Sequence, residues 1–368
     1  MRSRERPQPP FSQDARPQPA PVEVERGVLT RPQLPELPLE PWEPTKETLH
    51  LWCQIVGKVR MASSPPRNHW WHVPLYVDVR GLTTRRMHGK DGLAFEIRFD
   101  FIDHTLVVAT NRGEITAFEL HDGLSVAEFD EKLHARLAGL GIEVAIRETP
   151  FGLPTTTPFP SDWDHASYDR DAVERFWRVL EWTDQVFEEF AGWFCGKTSP
   201  VHLFWHGLDL AVTRFGGRPA PTLPAADSVN RETYSHEVIS FGFWPGDQNV
   251  REPSYYSYAA PEPAGLRERG LRPREAVWSE QPNGSLALLR YEAVRTAADP
   301  KGALLAFLES AYQAGAQASG WNLRELASAW CPSPPQLDDL LERGVMVQAS
   351  PDSAREPDEA PRLVTKGD

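Results

Sequence analysis

The order of the predicted helices and strands is the feature that most limits what this chain can fold into. Strand-like segments follow one another directly in two runs, and a helix with an apolar stripe precedes and follows each run. A doubly wound α/β fold would instead need a helix after each strand. The order therefore predicts an α+β fold in which antiparallel sheets pack against helices.

The strand assignments depend on side chains that alternate between apolar and polar. In the segment Ala94–Phe101, for example, Phe95, Ile97 and Phe99 alternate with charged residues. A period of two is typical of a strand with one buried face. Further strands are predicted at residues 75–79, 106–110, 115–120, 143–147, 202–206, 208–215, 237–243, 254–259 and 286–291.

Four long helices are predicted from apolar stripes and capping residues. They span residues 45–62, 125–140, 171–194 and 299–319. Ser125 and Glu128 match a capping box, and Asp299 followed by Pro300 matches a helix start. The third helix has the broadest apolar face, which indicates a buried position. A short helix is also expected at residues 336–343.

Similar short sequences recur in the two helix–strands–helix halves. In both, Gly-Lys, Ser-Pro, Trp-His and Arg follow one another in this order. The arginine comes eight residues after the histidine each time, at His72 and Arg80 and again at His206 and Arg214. Two duplicated halves would form a pseudo-dimer with a natural ligand cleft between them. Chance recurrence of common residues is the alternative.

Composition divides the chain into five parts. Residues 1–31 hold many of the prolines and lack apolar periodicity, so we expect them to be disordered. Residues 32–148 and 169–331 are the two α+β halves, residues 149–168 connect them, and residues 332–368 are a mostly disordered tail. Four apolar residues are expected to anchor an extended, polyproline-like segment against the domain: Leu34, Leu37, Leu39 and Trp42.

The charge and the apolar runs exclude several classes of partner. A formal net charge of −13 argues against nucleic acid, whose binding depends on basic surface. No apolar run approaches the roughly 20 residues of a membrane helix, and no secretory signal is present. We therefore expect a cytoplasmic protein without membrane association. Three widely spaced cysteines match neither a disulfide framework nor a zinc site.

One stretch is strongly basic although the whole chain is acidic. Residues 58–90 contain seven lysines and arginines, and Asp78 is their single acidic residue. Such a stretch is usually a solvated surface, and a pocket for a carboxylate or phosphate group is the alternative. A small anionic ligand is therefore the predicted partner, held by Lys58, Arg80 and Arg214.

Histidines and aromatic residues cluster where the predicted strands begin. The candidate catalytic residues are His69, His72, His202, Asp209, His236 and Glu237, and further ligand-binding candidates are Trp71, Trp205 and Tyr234. In one interpretation the imidazoles exchange protons and the indoles stack on a ligand. In the other, the indoles fill the core and the histidines bond to the backbone. The spacing is not diagnostic of a metal site, and no nucleotide-binding loop indicates a cofactor.

Several of these segments together resemble a family of uncharacterised bacterial proteins, catalogued only as a domain of unknown function. The segments are NHWWHVPLYV, RGLTT, FDFIDH, SPVHLFWHGLDLAVTRFGGRPAP, YSHEV with GFWPG, YYSYAAPEPAG and YEAVRTAADP. The resemblance covers about Leu37 to Trp321 and implies no activity, cofactor or fold. His206 departs from the family pattern, in which this position is small, so the resemblance disfavours His206 as a ligand.

Two functional hypotheses follow. The first is a small-molecule-binding protein or enzyme that acts on an anionic metabolite in a cleft between the halves, lined by histidine, tryptophan and arginine. The second is a non-catalytic interaction or scaffold domain whose proline-rich ends recruit other proteins. A polar pocket would favour the first hypothesis, and a large exposed apolar patch would favour the second.

Overall fold

A computed structural model describes residues 34–221, 227–282 and 284–343. The predicted disordered segment 1–31 and most of the predicted tail lie outside these residues. The described helices are α1 (Glu43–Ala62), α2 (Val126–Gly139), α3 (Arg170–Gly192), α4 (Ser228–Thr233), α5 (Tyr291–Arg295), α6 (Pro300–Ala318), α7 (Leu323–Leu326) and α8 (Pro334–Arg343). None of them has the length and apolar character needed to cross a membrane.

The strands form two antiparallel sheets, which confirms the α+β prediction. The first sheet contains β1 (Tyr76–Asp78), β2 (Gly81–Thr83), β3 (Met87–His88), β4 (Ala94–Asp100), β5 (Thr105–Thr110) and β6 (Ile115–Glu119). The second contains β7 (His202–Phe204), β8 (Asp209–Pro219), β9 (His236–Trp244), β10 (Ser254–Ala260), β11 (Val277–Gln281) and β12 (Gly284–Arg290). Their spatial orders are β1-β2-β4-β5-β6, with β3 paired to β4, and β11-β12-β10-β9-β8-β7.

A short bridge connects the edges of the two sheets. The amide of Leu75, just before β1, donates to the carbonyl of Leu203 on β7 at 2.9 Å, and the Leu203 amide donates back to Leu75 at 2.8 Å. Antiparallel pairing therefore places Tyr76 beside His202, although the two are far apart in sequence. This contact brings side chains from both halves of the chain together.

Apolar faces of the helices cover the inner faces of the sheets, as their amphipathic patterns require. On the first sheet, Trp52 of α1 stacks on Phe129 of α2 with ring centroids 4.9 Å apart. On the second, Phe190 of α3 meets Phe241 of β9 at 4.9 Å. The predicted anchor is confirmed as well, since its four apolar residues are buried: Leu34, Leu37, Leu39 and Trp42.

The helix ends largely agree with their predicted caps. Ser125 and Glu128 form the predicted capping box at the start of α2. The Asp299 side chain accepts from the Gly302 amide at 3.1 Å and so caps α6. In α3 the cap is Asp169 rather than Asp171, because the Asp169 side chain accepts the Ala172 amide at 3.1 Å.

The strand predicted at residues 143–147 is wrong. No described strand pairs with this segment, and the Lys58 ammonium donates to the carbonyl of Arg147 at 2.9 Å and to that of Thr149. A buried side-chain donor therefore satisfies carbonyls that a neighbouring strand would otherwise bind. The alternating stretch was too short to distinguish a paired strand from a segment whose carbonyls are bound by a side chain. Three short strands were not predicted: β2, β3 and β11.

The helix–strands–helix order occurs in both halves, but the residues paired by the sequence repeat occupy different places. Arg80 lies in the turn between β1 and β2, whereas Arg214 lies in the middle of β8. Trp71 precedes β1, whereas Trp205 follows β7. The pseudo-dimer therefore stays a prediction.

Candidate functional site

Charged and aromatic side chains meet around the ring of Tyr76, next to the bridge between the sheets. The Arg85 Cζ atom lies 3.5 Å from the centre of that ring, and the Arg60 Cζ atom lies 5.3 Å from it. The imidazole centre of His202 lies 6.2 Å from the same ring. We call Arg60, Tyr76, Arg85 and His202 the Tyr76 cluster.

Arg60 is buried without a carboxylate partner. It belongs to the last turn of α1, is 6% exposed, and donates from one terminal nitrogen to the carbonyl of Thr84. Its Nε atom has no hydrogen-bond partner among the described residues. Burial lowers the pKa of Arg60, and the positive charges of Arg85 and Arg67 act in the same direction, whereas Tyr76 opposes them through its charge and a hydrogen bond. The guanidinium is thus a buried cation among other cations.

His202 adds a second unpartnered nitrogen to this cluster. The side chain is 1% exposed on β7, and its Nδ1 atom finds no partner among the described residues. Burial, followed by the charges of Arg60 and Arg85, lowers the pKa of His202 to about 3. The imidazole is therefore neutral at physiological pH and is available to donate or accept a hydrogen bond.

Two threonines hold Arg85 at the open side of the cluster. The Arg85 amide donates to the Thr83 hydroxyl at 2.8 Å, and the Thr84 hydroxyl donates to the Arg85 carbonyl at 2.8 Å. These bonds accompany a left-handed backbone at Arg85, with φ 54°. Such strained positions recur at functional sites.

Asp184 of α3 is a titratable group in the electrostatic range of Arg85. Burial raises the pKa of Asp184 to about 7; Glu188 adds to the rise, and Arg85 opposes it. A carboxyl group with this pKa exchanges its proton near neutral pH, which is the range useful for general acid–base chemistry.

His72 lies close enough to Arg60 to feel its charge. Its Nδ1 atom accepts from the Arg67 amide at 3.1 Å, and its ring stacks on Trp70 at 5.6 Å. Burial lowers the pKa of His72, and the charges of Arg60 and Arg67 lower it further. The structure thus places two predicted histidines, His72 and His202, within the field of one buried arginine.

A second group of predicted residues surrounds Lys197. The Nζ atom of Lys197 lies 2.6 Å from His69 Nε2, 5.2 Å from the Trp71 ring and 4.8 Å from the Phe215 ring. The His236 ring lies 5.8 Å from that of His69. We call these five residues the Lys197 cluster. His69, Trp71 and His236 were predicted from the sequence; Lys197 and Phe215 were not.

Two further candidates, Asp209 and Tyr234, lie with tyrosines of β10. The Tyr256 hydroxyl donates to Asp209 Oδ2 at 2.5 Å, and the hydroxyls of Tyr234 and Tyr258 are 3.2 Å apart. Burial raises the pKa of Asp209. Side chains alternate between the two faces of β10. Tyr255 therefore faces the core, whereas Tyr256 and Tyr258 face the opposite side.

The remaining candidates bind other parts of the chain. Arg80 pairs with Asp100 and with Asp103, the latter at 2.6 Å. Glu237 accepts from the Trp321 indole at 2.9 Å and pairs with Arg218 at 2.8 Å. The Arg80 guanidinium and the Glu237 carboxylate are therefore paired with other side chains of the protein.

Three more candidates donate hydrogen bonds to backbone carbonyls. Lys58 binds the carbonyls of the 147–149 segment, as described above. The Trp205 indole donates to the Val73 carbonyl at 3.0 Å, and Arg214 donates to the carbonyl of Phe190. Across the described ranges, no group of three histidine, cysteine, aspartate or glutamate side chains is arranged to hold a metal ion.

Residues 58–90, for which the sequence offers an anion pocket as one interpretation, contain two of the predicted binding residues and both arginines of the Tyr76 cluster. Lys58 and Arg80 are the predicted binding residues, whereas the structure brings Arg60 and Arg85 to Tyr76. One sequence signal distinguishes Arg60, which lies four residues after Val56 and therefore at the edge of the apolar stripe of α1. A charged residue at such an edge is a candidate for burial.

Buried neutral histidines predict a loss of stability in acid. His202 and His50 both have a pKa lowered to about 3, chiefly by burial. The unfolded chain takes up these protons near pH 6.5, so their stabilising contribution is complete above that pH and is lost as the pH falls toward 3. Each should contribute about 2 kcal/mol to the loss between pH 7 and pH 5.

Urea titrations at pH 7 and pH 5 measure this loss. His202→Gln has no titrating ring, so its loss of unfolding free energy over that interval should be smaller than that of the unmodified chain. His88→Gln, at an exposed position, is the matched control and should leave the loss unchanged. Equal losses in the His202 variant and the unmodified chain would contradict the buried, neutral state of His202.

Comparison with known proteins gives a family but no activity. No curated protein and no solved structure matches the chain. A model of the family of unknown function DUF5996 matches residues 34–328, which include α1 to α7, both sheets and every cluster described above. The chain therefore belongs to this family of unknown function, DUF5996.

Proposed function

We propose that the protein binds a small anionic ligand at the Tyr76 cluster. The single observation that carries the proposal is the buried guanidinium of Arg60, whose Nε atom has no partner among the described residues and whose neighbours are the cations Arg85 and Arg67 and the Tyr76 hydroxyl. A buried charge without a counterion is costly, by several kcal/mol in proteins. A bound anion would supply the missing partner.

The chemistry of the cluster favours a carboxylate or a phosphate group. Both arginines can form charge-assisted hydrogen bonds, which are shorter and stronger than neutral ones. His202 Nδ1 can donate an additional bond, since the imidazole is neutral and that nitrogen has no described partner. Arg85 is exposed, so its guanidinium is accessible to a ligand from solvent.

An acid–base reaction on the bound ligand is a compatible extension. Asp184 is the carboxyl group close to Arg85 whose pKa is raised to about 7. Binding of an anion near Arg85 would weaken the attraction between Arg85 and the Asp184 carboxylate and so raise the Asp184 pKa further. The carboxyl would then be poised to donate a proton to the ligand.

The alternative of an interaction or scaffold domain has no specific support among the described residues. It depends on the proline-rich ends, which largely lie outside them. The expected bacterial origin, cytoplasmic location and lack of nucleic-acid partners also remain proposals, the last supported by the net charge of −13.

Arg60→Met is the variant that tests anion binding. Inorganic phosphate and citrate should raise the melting temperature of the unmodified protein, because a ligand that binds the folded state stabilises it. Loss of a charged hydrogen bond costs about 1.5–3 kcal/mol, so the apparent affinity should fall roughly 10- to 100-fold in Arg60→Met. Without ligand this variant loses the bond to the Thr84 carbonyl but also a buried charge that has no counterion, so its stability should be close to that of the parent.

Neighbouring arginines supply the controls. Arg85→Met should also weaken binding, whereas the exposed Arg86→Met variant, one residue further on, should bind as the parent does. Equal thermal shifts in the parent and in Arg60→Met would refute the assignment of the site. A lower stability of unligated Arg60→Met would show that Arg60 is satisfied within the protein.

A further inference from the structure

The environment of Lys197 differs from those of Lys90 and Lys301 because its hydrogen-bond partner is an imidazole. The described Lys90 and Lys301 pair with carboxylates, at 2.7 Å to Glu143 and 2.5 Å to Glu189. A carboxylate stabilises the charged ammonium form of lysine. Lys197 has no such ion pair among the described residues, and its Nζ atom instead meets His69 Nε2 at 2.6 Å.

The backbone determines which nitrogen of His69 faces Lys197 as an acceptor. His69 Nδ1 lies 3.2 Å from the carbonyls of Glu232 and of Thr233. Carbonyl oxygens only accept hydrogen bonds, so Nδ1 carries the proton and the neutral ring presents the Nε2 lone pair to Lys197. The His69 amide also donates to Glu232 Oε1 at 2.8 Å, which fixes the residue in place.

The backbone around this histidine is held in an uncommon conformation. His69 and Trp70 both have left-handed backbones, with φ of 54° and 60°. Neither is a glycine, so each costs free energy that the surrounding contacts must offset. In this conformation the His69 ring faces Lys197, and Trp71 lies beside the same ammonium.

Among the described residues, aromatic and charged side chains from several elements surround Lys197. Trp71 and Phe215 give aromatic walls, and the Glu232 carboxylate acts at longer range and favours the charged form. His236 stands edge-on to His69 at 5.8 Å. Burial outweighs Glu232 and lowers the pKa of Lys197; the Lys197 charge in turn contributes to a lowered pKa of His69.

From this geometry we infer that Lys197 is a nucleophilic amine, activated by His69, which forms a Schiff base with aldehydes or ketones. His69 Nε2 takes one proton from the ammonium, and the free amine adds to the carbonyl carbon. A second nitrogen proton moves to the carbonyl oxygen to form a hydroxyl group. His69 then returns its proton to that hydroxyl, which leaves as water, and a protonated imine with one N–H remains.

Reductive trapping with benzaldehyde and sodium cyanoborohydride tests this inference on the full-length protein. The aromatic aldehyde suits the Trp71 and Phe215 walls, and peptide mass spectrometry gives a modification rate for each lysine. At pH 7 we expect Lys197 to react about 10-fold faster than Lys90 and Lys301, because only Lys197 has a neighbouring base among these three. Equal or slower reaction at Lys197 would overturn the inference, and this comparison needs no variant.

Two variants separate activation by His69 from simple access. His69→Gln should lower the Lys197 rate to that of Lys90 while the Lys90 and Lys301 rates stay unchanged. His121→Gln, at a half-buried position outside the Lys197 cluster, is the matched control and should alter no rate. A Lys197 rate that is unchanged in a folded His69→Gln protein would refute the role of His69. The Tyr76 cluster is not involved, so Arg60→Met should leave the Lys197 rate unchanged.

Discussion

Replacement of Gly57 by alanine should lower the free energy of unfolding by roughly 2–3 kcal/mol, even though alanine favours helices. Gly57 lies within α1, and a Cβ atom there would overlap the indole of Trp205. Trp205 is buried and its indole donates to the Val73 carbonyl at 3.0 Å, so it has little room to move. The gain in helix propensity is only about 1 kcal/mol and cannot offset the overlap.

Urea denaturation of Gly57→Ala and of a matched variant measures this effect. Gly139 is also a helical glycine, at the end of α2, but no atom lies near the position of an added Cβ. Gly139→Ala should therefore leave the stability unchanged or raise it slightly. Similar effects of the two substitutions would show that the close packing of α1 on Trp205 is not retained in solution.

Removal of the Arg214 side chain should destabilise the protein by about 3–5 kcal/mol, because it leaves Glu309 buried without its counterion. Arg214 is 1% exposed, and its nitrogen lies 4.0 Å from a Glu309 carboxylate oxygen. The guanidinium also lies 3.5 Å from the centre of the Phe190 ring and donates to the carbonyl of the same residue. Arg214 therefore connects its own strand, β8, with α3 through Phe190 and with α6 through Glu309.

The charge contribution can be separated from the packing contribution by a double variant. Arg214→Met keeps most of the volume but strands the Glu309 charge, whereas Arg214→Met combined with Glu309→Gln removes both charges. The double variant should recover about half or more of the lost unfolding free energy, since an apolar replacement of a buried ion pair is often nearly neutral. Strictly additive losses would contradict a coupled pair.

Several local predictions succeeded because their causes are local. The capping box at Ser125 and the cap at Asp299 depend on residues three positions apart, which the sequence shows directly. Alternation along Ala94–Asp100 likewise places Phe95, Ile97 and Phe99 in the core. The same reasoning failed for residues 143–147, because the Lys58 ammonium that binds their carbonyls comes from a distant helix.

The candidate sites were only partly predictable for the same reason. The sequence marked His69, His72 and His202 as unusual, but it did not show that Lys197 faces the first and that Arg60 acts electrostatically on the other two. These neighbours are brought together by the bridge between Leu75 and Leu203 and by the packing of the 69–72 segment against α4. Local periodicity carries no information about such pairings.

By itself the sequence determined the α+β class, the antiparallel succession of strands and the helix caps, because each depends on residue types within a few positions. Only the tertiary structure decided which charged groups lack a partner. Whether a cation such as Arg60 is neutralised depends on every charge that folding brings within several ångströms of it, whatever the separation in sequence. Burial strengthens those interactions, so the chemistry of the site depends on the packing of the two sheets at their shared edge.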